Sequence, residues 1–464
     1  MENKHPSSSP AGERENIMGT MDINPLLIKL SVPMMVSMLV QALYNVVDSI
    51  FVSHVSESAL TAVSLAFSLQ NVMIAVGVGT GVGVNALLSK SLGEKNQERA
   101  NQTAENGIFL SLCSYAVFLV IGLTCMKPYF YAQTSDMDIA RQGIQYLQLC
   151  CVLSLGLFTQ TMGEKLLAAT GRTNLSMTSQ LIGAVVNIVL DILFVFGFHL
   201  GIPGAAFATV LSQVLAALFC FIKLQGSGLL SGEESLLSLK QETCRPDHTM
   251  LKEQLKLGLP MGLQNMITAL GGLIVQSVIN GFGVIFIAGY TAANKLYGLL
   301  EIAASSYGYA MSTYAGQNLG AARFDRIGRG LKAAGLIGTA TALIMSAVMI
   351  LFGRPVLGCF LTGDGAAAAA AMEIGYHFLQ VLALFFPLLY ILYIIRSCIQ
   401  GLGNSVLPMV SSIAQLVMRT GCALLLPPLI GQSGVFYGEV CAWIGADLIL
   451  ACSYFYWMER LRRL

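Results

Sequence analysis

Charge is what this chain has least of. Asp, Glu, Lys and Arg make up 11% of its 464 residues, where a soluble domain carries about 25%. Hydrophobic residues make up 55%, and the mean hydropathy is +0.69. Such a chain belongs in lipid for most of its length. A net charge of +1, with no basic run interleaved with aromatics, gives no footing for nucleic acid. None of the eleven cysteines forms a C-x-x-C, and nearly all lie singly in apolar segments, so they read as packing residues. Five histidines, two of them (His5 and His248) in polar stretches, supply no convergent catalytic or metal set, so an enzyme is not expected. The opening MENKHPSSSPAGEREN has no apolar signal-peptide core and reads as a cytoplasmic tail.

The apolar runs are 26–52, 59–88, 103–126, 138–163, 173–199, 203–224, 252–280, 284–316, 328–352, 372–399, 405–430 and 433–457. Each has the length of a membrane span. The expectation is an all-α integral membrane protein with twelve transmembrane helices. An even count puts both termini on one side. With that side inside, the inner segments hold nearly all the Lys and Arg, and the outer ones hold only Lys127, Arg141 and Arg354. This bias places both termini in the cytoplasm.

The chain repeats itself. A shift of 227 carries Lys29-Leu30-Ser31-Val32-Pro33-Met34 onto Lys256-Leu257-Gly258-Leu259-Pro260-Met261, and Ser91-Leu92-Gly93 onto Asn318-Leu319-Gly320. A looser match sets Ala169-Thr170-Gly171-Arg172-Thr173 against Gly401-Leu402-Gly403-Asn404-Ser405. Six spans per half is even, so the halves are expected as two six-helix bundles related by a pseudo-two-fold axis along the membrane normal, an arrangement common in transporters. The expected division is a cytoplasmic tail 1–25, a first bundle 26–224, a cytoplasmic linker 225–251, a second bundle 252–457 and a tail 458–464. Pro33 and Pro260 fall near the starts of their spans, as helix-start prolines or as functional kinks. Gly77-x-Gly79-x-Gly81-x-Gly83 lies in an apolar span without strand or lysine context, so it reads as close helix packing rather than a phosphate loop.

Polar residues in the spans are striped. On span one Gln41, Tyr44, Asn45 and Asp48 share a face, and on span five Gln180, Gly183, Asn187 and Asp191 do. Rise alone puts Asp48 ~9 Å, Asp191 ~12 Å and Thr209 ~9 Å from the outer ends of their spans. Asp48, Asn187, Asp191 and Thr209 therefore share one level of the first bundle. Two carboxylates there could share a proton, and the same oxygens suit Na⁺. The alternative is plain interhelical hydrogen bonding. The second half does not repeat the set: Asp48 maps onto Val275, and Asn187 onto Arg419. There, Gln276 and Asn280 on span seven and Lys295 and Glu301 on span eight are either substrate contacts or interhelical hydrogen bonds. Glu164-Lys165 reads as an interfacial charge pair, with Glu164 pointing into the cavity as the lesser alternative.

These motifs together resemble the multidrug and toxic compound extrusion family. The resemblance covers nearly all of 26–457 and rests on Lys29-Leu30-Ser31-Val32-Pro33, Tyr44-Asn45-Val46-Val47-Asp48, Ala169-Thr170-Gly171-Arg172-Thr173, Asn187-Ile188-Val189-Leu190-Asp191, Gly204-Ala205-Ala206-Phe207-Ala208-Thr209 and Gly316-Gln317-Asn318-Leu319-Gly320-Ala321. It implies two bundles in a V, a central cavity opening alternately to each side, and export of small organic cations against an inward H⁺ or Na⁺ gradient. It matches Asp48, Asn187, Asp191 and Thr209 to a first-half ion site. A second-half site of another branch would put an acid at Thr268, so that site looks absent. The expectation is a monomeric antiporter of the cell membrane without a cofactor beyond the coupling ion H⁺ or Na⁺, with Gln41, Tyr44 and Asn45 beside the acid on the substrate path. The rival is a flippase for a lipid-linked precursor, which would want several basic residues in the cavity.

Overall fold

A computed structural model describes residues 17–53, 55–225, 246–361 and 365–463. Most of the expected linker, the start of the tail and His54 lie outside these. The main helices are α1 (Ile23–Ser53), α2 (Glu57–Gly93), α3 (Gln97–Thr124), α4 (Met137–Val152), α5 (Leu155–Ala169), α6 (Thr173–Asp191), α7 (Gly201–Gln225), α8 (His248–Asn280), α9 (Val284–Gly320), α10 (Phe324–Gly358), α11 (Ala366–Gly401), α12 (Val406–Leu425) and α13 (Phe436–Arg463). No strand occurs among the described residues. The protein is an all-helical integral membrane protein.

Ten of these helices are long and apolar enough to cross a bilayer, and α4 with α5, bent by 48°, forms an eleventh span. The twelfth is α9. It has the length to span at 37 residues, but it carries a run of Tyr, Ser and Gly together with Lys295 and Glu301. It tolerates them because α1, α2, α10 and α11 pack around it, so much of its polar surface faces protein rather than lipid.

Pro33 and Pro260 do not sit in first turns. Their helices begin at Ile23 and His248 and run through both prolines. A proline inside a helix leaves the carbonyl four residues earlier without its donor. For Pro33 that carbonyl is Lys29 O, and the Thr173 hydroxyl at the start of α6 donates to it at 3.3 Å. Pro387 in α11 frees Ala383 O, and the Ser346 hydroxyl of α10 donates to it at 2.7 Å.

The halves meet at the end of the molecule where Met18 lies against Arg326 and α13 finishes. Glycines allow this approach: a Cβ on Gly79 would lie 2.7 Å from the Gly262 nitrogen, and one on Gly83 the same distance from the Gly258 nitrogen. Nearer the end, Gly93 presses on Gln317 and Gly320 on Lys90, too close for any side chain. The shift of 227 exchanges these two contacts, and it carries Ser89 onto Gly316, which touch each other. Reciprocal contacts of this kind are what a two-fold axis running between the halves produces. Polar bonds reinforce the seam. Gln254 donates to Thr103 O at 2.8 Å, Gln317 to Ala169 O at 2.6 Å and Thr313 to Asn85 at 3.3 Å. The seam is not a clean boundary, since Leu26, Leu27 and Leu30 of α1 belong to the hydrophobic core of the second half.

Candidate ion and substrate site

Away from the seam the halves enclose a cavity of about 820 Å³. Its wall runs along residues 41–50 of α1 and 60–74 of α2, and it reaches Lys295 and Leu299 of α9 and Phe360 beyond α10. Past that stretch α2 is pressed against α8, so the cavity lies toward the end opposite the seam. The volume suits one drug-sized molecule.

Gln41, Tyr44, Asn45, Asp48, Gln180, Thr209 and Lys295 all line this cavity. Asn187 and Asp191 do not. They are fully buried, at 1% and 0% exposure, on the α6 face that Gly183 turns toward Ala216 of α7. Gln276, Asn280 and Glu301 stand outside it as well. Gln276 donates to Asn280 at 2.9 Å, and Glu301 accepts from the Tyr393 hydroxyl at 2.7 Å.

The cavity also contains polar residues that span periodicity did not single out. Gln160 donates through one nitrogen to Glu164 and to Gln180, each at 2.9 Å. Gln70 donates to the Tyr146 hydroxyl at 3.2 Å. Glu164 and Lys165 are not a charge pair: Glu164 faces the cavity, whereas the Lys165 ammonium lies 3.9 Å from the centroid of the Tyr309 ring. Adjacent residues on a helix point in different directions, and each of these finds its own partner.

The candidate residues of the first half share a lack of partners, as does Asp447 on α13, whose two carboxylate oxygens are also buried without one. One carboxylate oxygen of Asp48, both oxygens of Asp191, and the amide oxygen and nitrogen of Asn187 are buried without a hydrogen-bond partner. Thr209 donates its hydroxyl to Ala205 O at 3.0 Å, which leaves its oxygen free to accept. Burying an unpaired carboxylate costs several kcal/mol unless it is protonated or a cation is bound. Two carboxylates, an amide and a hydroxyl offer oxygen donors that suit a proton or a hard monovalent cation. Directly after Asp191, residues Ile192–Gly197 wind as a π-helix, a form that recurs at functional positions.

The MatE family profile matches residues 33–193 and 260–424. The chain belongs to the MatE family. It is thus a transporter, not an enzyme. The Probable multidrug resistance protein YpnP of Bacillus subtilis (strain 168) is 24% identical over 89% of this chain and 90% of its own length. The Probable multidrug resistance protein NorM of Thermotoga maritima is 23% identical over 92% and 90%. Among solved structures, an outward-facing conformation of a multidrug resistance MATE family transporter superposes with a TM-score of 0.90 at 24% identity, covering 97% of this chain and 99% of that one. The shared fold carries the two-lobed arrangement; the site rests on the residues described above.

Proposed function

We propose that this MatE-family transporter is a secondary antiporter. It exports small organic cations in exchange for H⁺ or Na⁺, with the ion held in the first half by Asp48, Asn187, Asp191 and Thr209. The observation that carries this reading is the group of unpartnered buried atoms on Asp48, Asn187 and Asp191, with Asp48 also lining a drug-sized cavity. An ion bound at Asp48 and a cationic substrate in the same cavity compete for one field. Each then favours a different state of the transporter, which is all that coupling requires. The names of the relatives support drug export.

The remaining expectations fit this reading. With both termini in the cytoplasm, as the charge bias favours, the seam is the cytoplasmic gate and the cavity faces outward. The bundles at 26–224 and 252–457 then act as the two arms, in a monomer of the cell membrane. A flippase for a pyrophosphate-linked lipid is disfavoured because, among the described residues, the cavity wall holds Asp48 and Glu164 against the single base Lys295.

The test uses purified protein in liposomes with a fluorescent organic cation, a clamped membrane potential, and a pH or a Na⁺ gradient imposed separately. One gradient should drive dye movement, and Asp48→Asn or Asp191→Asn should each reduce it to the rate of protein-free vesicles. Gradient-driven transport that survives both substitutions would remove the ion site from this account.

A further inference from the structure

The halves repeat more closely in backbone than in residues. The turn from α5 to α6 holds Gly171 at φ +80°, and the turn from α11 to α12 holds Gly403 at φ +82°. Their backbone bonds also correspond at a shift of 232. Gly171 N–H to Ala168 O matches Gly403 N–H to Gln400 O, and Arg172 N–H to Leu167 O matches Asn404 N–H to Ile399 O. In this register Asn187 maps onto Arg419. One helix later, Gly201-x-x-Gly204-x-x-x-x-Thr209 aligns with Gly431-x-x-Gly434-x-x-x-x-Glu439 at a shift of 230. Gly201 and Gly431 again share a left-handed backbone, at φ +60° and +83°. Thr209 therefore maps onto Glu439.

The counterparts of two ion-site residues form an ion pair. Arg419 Nη2 lies 2.6 Å from Glu439 Oε2, and each side chain is only 11% exposed. The surrounding packing repeats as well, with α6 against α1 and α7, and α12 against α8 and α13. Tyr44 maps onto Gly271 at the shift of 227. The guanidinium uses the room this leaves, since a Cβ on Gly271 would already lie 3.3 Å from Arg419 Nη1. The other two positions have become apolar, with Val275 in place of Asp48 and Ala423 in place of Asp191, both buried.

We propose that the Arg419 guanidinium is a resident cation that permanently occupies the second-half counterpart of the ion site, so that the coupling ion is loaded in the first half alone. The inference rests on the first-half reading given above. A guanidinium does not lose its proton in a protein and is tethered to α12. The second-half site therefore has no empty state and no cycle of its own. Glu439 supplies the single acid that one fixed cation needs.

Two variants of the full-length protein test this. Arg419→Ala leaves the Glu439 carboxylate facing an opened space. Its thermal unfolding midpoint in detergent should drop, and millimolar guanidinium should restore at least half of the drop while urea at the same concentration restores none. The double variant Arg419→Met/Glu439→Gln removes both charges at similar volume. It should unfold near the wild-type temperature and move the same number of coupling ions per dye molecule in liposomes. Equal effects of guanidinium and urea on Arg419→Ala would overturn the proposal. A changed ion-to-dye ratio in the double variant would overturn it too, and that arm still decides if Arg419→Ala does not fold. Failure of the first-half reading has a separate signature, coupled transport that persists in Asp48→Asn, and it leaves the guanidinium readout untouched.

Discussion

Gln160 holds two neighbours with one nitrogen. Its amide has two hydrogens, and each satisfies a carbonyl or carboxylate oxygen, on Gln180 and on Glu164. Gln160→Leu would keep much of the volume and strip both oxygens of their donor. The expected cost is about 1–3 kcal/mol, because buried acceptors then go unpaired, and it would be read as a lower thermal unfolding midpoint. Gln160→Glu should also weaken export of the dye, since it sets a second acid beside Glu164. The two stripes that carry Asp48 and Asn187 were legible in the sequence because several polar residues recur at helical spacing there. Gln70 gives no such signal, being isolated on an apolar face of α2. Glu164 was only half legible: beside Lys165 it reads first as a charge pair and only second as a cavity residue, and the packed structure decides by sending one to Gln160 and the other to Tyr309.

Among the described residues Pro33, Pro260, Pro355 and Pro387 lie inside helices, and at Pro33 and Pro387 a hydroxyl from a neighbouring helix covers the carbonyl that the proline frees. Thr173 serves Lys29 O, and Ser346 serves Ala383 O. Removing the hydroxyl leaves that carbonyl unsatisfied, so Thr173→Val and Ser346→Ala should each destabilise the protein by about 1–3 kcal/mol. A control separates this from general packing loss. Pro33→Ala restores an N–H that can reach Lys29 O within α1, so in the Thr173→Val background it should recover part of the lost midpoint. In the wild-type background, where Thr173 already occupies that carbonyl, it should recover little. Equal effects of Pro33→Ala in both backgrounds would show that Thr173 and Pro33 are uncoupled. The sequence puts Pro33 and Pro260, unlike Pro387, near the starts of their spans because Lys29 and Lys256 mark the membrane edge. The helices continue past that edge, to Ile23 and His248, and hydropathy reports where lipid ends rather than where a helix does.

Twelve spans in two matching halves were legible at the scale of the whole molecule, because span length and repeated motifs are properties of the chain itself. Which end is shut was not, because it depends on contacts between residues far apart in sequence. Gly93 against Gln317 and Gly320 against Lys90 shut it. Each contact is backbone on backbone, so a side chain at either glycine has no flexible neighbour to displace. Gly93→Leu or Gly320→Leu should therefore oppose closure of this end by about 1–3 kcal/mol, the usual scale of overpacking. That is enough to shift a two-state balance by roughly fivefold to a hundredfold. Spin labels at Glu98→Cys and Asp325→Cys, an exposed pair at equivalent positions of the two halves, would report the distance across the gate once Cys113, Cys125, Cys359 and Cys452, the exposed cysteines among the described residues, and Cys244 are replaced by serine. The distance distribution should broaden and lengthen in either leucine variant, and gradient-driven export should fall with it, because a transporter that cannot shut one gate leaks or stalls. Gly328→Leu is the control, since its Cβ would meet no neighbouring atom; it should leave both readouts at wild-type values. If the leucine variants keep the wild-type distances and transport, the glycine contacts are not the seal, and the polar bonds of Gln254, Gln317 and Thr313 would have to hold the end shut alone.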